Sequence, residues 1–167
     1  GFRKGIQAGR IVPVVGVSAL TGVGVAKLLD MMRDYLNSPE GTKASGVNPK
    51  SGESAARACL SSEPFSAFVF KTVADPFVGK LSLFRVMSGT LTPSTVLYNA
   101  NQEKTEKSGG LFTMRGKKQT NAQLLNSGDI GALSKLSATA TGDTLCDPNA
   151  PIKYPVLVFP VPCFTKA

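Results

Sequence analysis

Few residues in this sequence could do covalent or acid–base chemistry, and none of them stands in a catalytic arrangement. Histidine is absent, which removes a Ser–His–Asp triad, a Cys–His pair and most zinc sites. The three cysteines, Cys59, Cys146 and Cys163, are odd in number and lack paired spacing. They read as free thiols of a reducing compartment, not as a disulfide framework. Carboxylates occur singly, without the partner that paired acid–base work needs. A phosphate-binding loop requires G-x-x-x-x-G-K followed by Ser or Thr, so that backbone amides and a lysine cradle the phosphates. The pairs Gly79-Lys80 and Gly116-Lys117 lack a glycine five residues earlier and are followed by Leu81 and Lys118. Gly22-Val23-Gly24 opens a dinucleotide-like pattern but meets Lys27 where a third glycine is required. An enzymatic role for this chain has little support, and binding is the better reading.

Charge carries more information. The net charge is +8 and the pI about 9.6, a balance that suits a polyanionic partner. From Pro64 to Lys118 there are eight basic residues against three acidic ones, whereas from Gln119 to the end three basic and three acidic residues balance. Lys71, Lys80 and Arg85 flank the turn Asp75-Pro76-Phe77-Val78-Gly79, in which Pro76 fixes one dihedral and Gly79 permits a tight exit. The expectation is that these three cations share one end of a barrel, with Arg115, Lys117 and Lys118 extending the patch. Lysine and arginine contacts to phosphates position a protein without reading bases. The bland alternative is a solvated surface that only maintains solubility. Phe68, Phe70, Phe84 and Phe112 could stack bases, but their apolar neighbours favour core packing.

Three segments must position these residues. Residues 1–39 contain a short apolar run, Val12 to Val17, expected as a buried strand. The turn Ser18-Ala19-Leu20-Thr21-Gly22 follows, and then a helix with Val25, Leu28, Leu29, Met32 and Leu36 in one stripe. Thr21 or the next glycines would open that helix, and Asn37-Ser38-Pro39 would close it. A strand leading into an amphipathic helix is the end of an α/β unit. Residues 40–63, rich in Gly, Ser, Lys and Ala, read as a flexible linker that could hold a helical turn at Ala55 to Leu60.

Residues 64–162 read as all-β, a small closed Greek-key-type barrel. Strands are expected at Phe65–Val73, Lys80–Met87, Thr95–Asn99, Leu111–Met114, Ile130–Lys135 and Val156–Val161. The turns Ser88-Gly89, Ser108-Gly109-Gly110, Ser127-Gly128-Asp129 and Thr141-Gly142-Asp143 separate them. Both faces of Phe65–Val73 are apolar, as in a strand between a core and another layer. Leu81/Leu83 and Phe84/Val86 fall on opposite parities, which predicts a bulge or bend. Residues 163–167 would be a tail or the start of a further connection. No run of 18 or more apolar residues exists, so no membrane helix is expected. Gly1 to Arg10 lacks the apolar core of a signal peptide, and the chain reads as an internal piece of a longer polypeptide.

Two stretches resemble the elongation factor G family of translational GTPases. Ile11-Val12-Pro13-Val14-Val15-Gly16-Val17-Ser18-Ala19-Leu20, with Asp34-Tyr35-Leu36-Asn37-Ser38-Pro39, is similar to the close of that family's GTP-binding domain. Phe65–Thr72, Asp75–Leu81, Phe84–Val86 and Ser88–Leu91 resemble the start of its second domain. Gly128–Ala132 and Thr141–Asp147 resemble that domain's later half, and Phe159–Pro162 its exit toward a third domain. Val17 departs from the family, which more often has glycine before Ser-Ala. The resemblance implies a cytoplasmic, monomeric parent that binds GTP and magnesium and drives tRNA–mRNA translocation. It implies that Ser18, Ala19 and Leu20 are a partial guanine motif. It further implies that the face around Asp75–Gly79 meets small-subunit ribosomal RNA. No cofactor is expected in this chain itself. A ribosome-protection or ribosome-recycling relative, or a plain protein-interaction barrel, is the alternative.

Overall fold

The computed structural model describes residues 1–75, 79–107, 109–158, 160 and 163. It divides into two compact units, Gly1–Ser38 and Pro39–Ala167.

The first unit holds two helices, α1 (Phe2–Gln7) and α2 (Val25–Tyr35). The Phe2 and Tyr35 rings meet edge-on at 5.3 Å, and the Asn37 side-chain amide donates to the Gln7 carbonyl at 3.1 Å. Helix α1 was not expected from sequence. Helix α2 starts after Gly24, whose φ is 78°; a Cβ there would sit 2.5 Å from the Gly16 carbonyl oxygen. Val12 to Val17 is irregular, not the expected strand, and Val14 is 93% exposed. A strand persists only when a neighbour takes up its backbone groups, and no strand lies within the described residues of this unit. The stripe on α2 is likewise uncovered, and none of its residues is buried.

The second unit is antiparallel β. Its strands are β1 (Lys43–Val47), β2 (Ser54–Ala58), β3 (Ser66–Asp75), β4 (Gly79–Ser88), β5 (Thr90–Leu91), β6 (Leu97–Asn99), β7 (Lys104–Glu106), β8 (Gly110–Arg115), β9 (Lys118–Asn121), β10 (Leu125–Asn126), β11 (Ile130–Ser134) and β12 (Thr144–Cys146). Eight of them form one sheet in the order β7-β6-β12-β3-β4-β11-β8-β9, with β5–β10 and β1–β2 as separate pairs. The sheet curls on itself. Leu97 of β6 and Leu111 of β8, far apart in strand order, join one core with Ala67, Val69, Phe84, Val86, Leu133 and Leu145.

Residues 40–63 are no linker. Strands β1 and β2 form a hairpin, and Ala55 to Ala58 is strand where a helical turn was expected. Val47 exchanges backbone hydrogen bonds with Lys153. Ala44 and Ala55 pack with Phe68 and Tyr98 on a second cluster built on Ile152, Tyr154, Ala100 and Cys146. This hairpin is the further layer implied by the two apolar faces of β3. Beneath it the Ser66 hydroxyl bonds both Ser88 Oγ at 2.6 Å and the Tyr154 hydroxyl at 2.7 Å. A barrel unit beginning at residue 64 would lose this cover.

The predicted parity break is present, though its extra residue lies on the partner strand. Val69 pairs with Phe84 and Lys71 with Leu83, leaving Phe70 bulged. Val156 to Val158 is irregular where a strand was expected, and Phe159 and Val161 lie outside the described residues.

Candidate functional site

The β3–β4 hairpin fixes where its cations stand. Its register pairs Asp75 with Gly79, Ala74 with Lys80, Lys71 with Leu83 and Phe68 with Arg85. Lys80 is one step from the turn. Arg85 lies five residues further along, roughly 16 Å at 3.3 Å per residue. The expectation that Lys71, Lys80 and Arg85 share one end is therefore corrected, because strand rise separates them. Pro76, Phe77 and Val78 lie outside the described residues. Gly79 adopts φ 76°, a left-handed conformation that glycine enters without penalty.

Lys80 has a structural duty as well. Its Nζ donates to the Thr139 carbonyl, tying β4 to the segment after β11. Glu106 of β7 meets the same segment. Its carboxylate accepts from the Ala138 amide at 2.8 Å, from the Ser137 hydroxyl at 3.2 Å and from the Thr139 hydroxyl. Burial would raise the Glu106 pKa, but the bonds from Thr139, Ala138 and Ser137 outweigh it and hold the carboxyl below its usual range. Asp143, also buried, accepts from Asn99 at 2.9 Å and from the Ala140 amide at 2.8 Å.

The structure ties the strand that carries part of the second basic group to the end of β3. Gln119 Nε2 donates to Asp75 Oδ2 at 2.7 Å, joining β9 to the end of β3. Lys118 is the next residue, paired with Arg115 across the β8–β9 hairpin. Arg115 and Lys118 line a polar concavity of about 370 Å³ with Thr113, Met114 and Thr120. Gly116, at φ 57°, turns the hairpin beside Lys117. Sequence reasoning missed Gln119 and also Lys135, whose amide donates to the Lys80 carbonyl at 3.3 Å. Neither belongs to a motif; only strand register places them here.

Arg85 occupies a different surface, an apolar groove of about 440 Å³ shared with Phe68, Phe70, Met87, Tyr154 and Leu157. Of the four phenylalanines weighed as stacking platforms, Phe84 is fully buried and Phe68 half-buried, whereas Phe70 is 37% exposed. The bulge at Phe70 removes it from the core.

In the first unit, the Ser18 hydroxyl accepts from the Thr21 amide at 3.3 Å, and the Ser18 carbonyl accepts from Gly22 at 2.9 Å. The loop is braced by its serine, with Ala19 and Leu20 exposed. Among the described residues, no cluster of His, Cys, Asp or Glu could hold a metal ion, and no helix is long and apolar enough to cross a membrane.

Residues 64–148 match the family model for elongation factor G domain 2. The chain belongs to the elongation factor G family. Elongation factor G of Dehalococcoides mccartyi strain BAV1 is 40% identical over 167 residues, 99% of this chain and 24% of that protein. The protein of strain CBDB1 gives the same figures. The chain thus spans about a quarter of the length of these curated relatives. A crystal structure of a Thermus thermophilus protein superposes with a TM-score of 0.66 at 22% identity, covering 90% of this chain and 20% of the other. That likeness establishes a shared fold. The curled sheet accordingly corresponds to domain 2 of the elongation factor G family.

Proposed function

We propose that this barrel docks a cytoplasmic, monomeric translational GTPase on small-subunit ribosomal RNA during tRNA–mRNA translocation. The observation that carries the reading is the pairing of Arg115 with Lys118 around a polar concavity, on a hairpin that Gln119 ties to Asp75, in a domain of this family. Cations around a polar concavity suit phosphate oxygens, which need donors and no base readout. Charge reversal of Arg115 and Lys118 to Glu in the full-length parent is expected to weaken ribosome binding about 10- to 100-fold near 0.1 M salt. The binding slope against log salt should fall by about two, so the deficit narrows as salt rises. Nucleotide affinity should not change. Unaltered ribosome binding across the salt series would leave the patch as a solvated surface.

GTP and magnesium belong, in this reading, to the parent's nucleotide domain. Ser18, Ala19 and Leu20 would supply only the loop whose amides approach the guanine carbonyl. The uncovered stripe of α2 and the exposed Val12–Val17 run suit a sheet contributed by the rest of that domain. The 167-residue chain is expected to bind GTP or GDP at most weakly and not to hydrolyse GTP, since phosphate loop and base clamp are missing from its sequence. Calorimetric titration checks this, and a micromolar dissociation constant would refute it.

A further inference from the structure

Lys135 is one of two non-glycine residues with positive φ among those described, at 60°. Lysine enters this left-handed region only against a steric penalty that glycine escapes and asparagine tolerates better. Its conformation is held by the hydrogen bond that its backbone amide donates to the Lys80 carbonyl. Its aliphatic stem lies over bare backbone: a Cβ built on Gly109 would come within 2.6 Å of Lys135 Cδ and 2.8 Å of Cγ. Gly109 in turn donates to the Ser134 carbonyl at 2.9 Å. The stem is thus supported while the residue stays exposed.

Another lysine has a plainer explanation. Lys104 on β7 sits on an edge strand of the large sheet, where lysine blocks edge-to-edge pairing. Lys135 directly follows β11, an interior strand, so edge protection does not account for it. The carboxylates that meet the segment after β11, Glu106 and Asp143, are buried and consumed by hydrogen bonds. Lys80 is engaged at Thr139. Lys135 is exposed and adds outward positive charge at this place.

We infer that Lys135 is an RNA-phosphate contact of the docking face, aimed by its left-handed backbone and by the missing side chain at Gly109. The inference rests on the RNA-docking reading above. The test uses the 167-residue chain and purified small ribosomal subunits, with binding measured across a salt series. Lys135→Gly and Lys135→Asn should fold at least as stably as the wild type. They should bind about five- to tenfold more weakly near 0.1 M salt, with the salt slope reduced by about one. Lys135→Arg should retain binding. Gly109→Ala keeps every charge and should still lose part of the affinity, because its methyl group displaces the lysine stem. Lys104→Gln should have little effect. Wild-type affinity in the Lys135 variants, or an equal loss in Lys104→Gln, would overturn the assignment and leave the docking reading intact. No salt-dependent binding by the wild-type chain would overturn both.

Discussion

Phe84→Ala is expected to destabilise the second unit by about 3–5 kcal/mol, the range for truncating a fully enclosed aromatic side chain. Phe84 is 0% exposed and belongs to the core shared by strands from both halves of the sheet. Its ring reaches the bare backbone of Gly131: a Cβ there would lie 3.1 Å from Phe84 Cζ and 2.2 Å from Leu125 Cδ1. Strands β4, β10 and β11 are thus keyed together around one ring. Backbone contacts on this scale relax little, so most of the vacated volume would persist as a cavity. Domains of this size are stable by about 5–15 kcal/mol, so the variant should lose a large share. Its thermal midpoint should fall by about 10–20 °C. Thermal unfolding followed by circular dichroism measures this. A loss under about 1 kcal/mol would show that the core does not depend on Phe84.

Glu106→Gln should cost about 1–3 kcal/mol at neutral pH, and its penalty should shrink in acid. The wild-type carboxylate accepts from the Thr139 and Ser137 hydroxyls and the Ala138 amide. The amide of glutamine keeps one acceptor but turns an NH2 group toward donors, and charge-assisted bonds become neutral ones. The pH dependence follows from the direction of the shift. Burial opposes ionisation, yet the three donors hold the carboxyl below its ordinary range. A carboxylate with a lowered folded pKa contributes stability that is fully present above its unfolded value, about 4.3 for glutamate. That contribution is lost as pH falls through the folded value. Wild type and Glu106→Gln should therefore converge as pH drops below about 4. Denaturant unfolding at about pH 7 and about pH 3.5 decides the matter. A gap that stays constant would mean that Glu106 is held by packing and not by its charge.

Both residues show what local pattern can and cannot report. Phe84 read as core because its neighbours along the segment are apolar. The parity break at Leu83–Phe84 was legible too, since it is a property of the side-chain order. The bulge fell on Phe70 of the facing strand because register belongs to a pair of strands and not to either one. Glu106 gave no signal. Its role exists only because the segment after β11 folds back to present three donors.

The hairpin at residues 43–58 was illegible for a related reason. Lys-Ala-Ser-Gly-Val and Ser-Ala-Ala-Arg-Ala have weak strand propensity and resemble a linker. Their small side chains are what the site requires: a Cβ on Gly46 would lie 2.4 Å from the Lys153 carbonyl oxygen. Tertiary burial over Ile152 and Tyr154 overrides the local preference.

The amino-acid order by itself determined the β character of residues 64 onward, the turns at Ser88-Gly89 and Thr141-Gly142-Asp143, the helix after Gly24 and the basic bias before Lys118. These follow from periodicity, glycine dihedrals and charge count, all of them local quantities. The tertiary structure alone decided which cations are neighbours. Strand rise carried Arg85 away from the turn, a side-chain bond from Gln119 to Asp75 brought Lys118 toward it, and a backbone bond to Lys80 placed Lys135 beside it. Proximity across a curled sheet depends on register and curvature, which no single strand encodes.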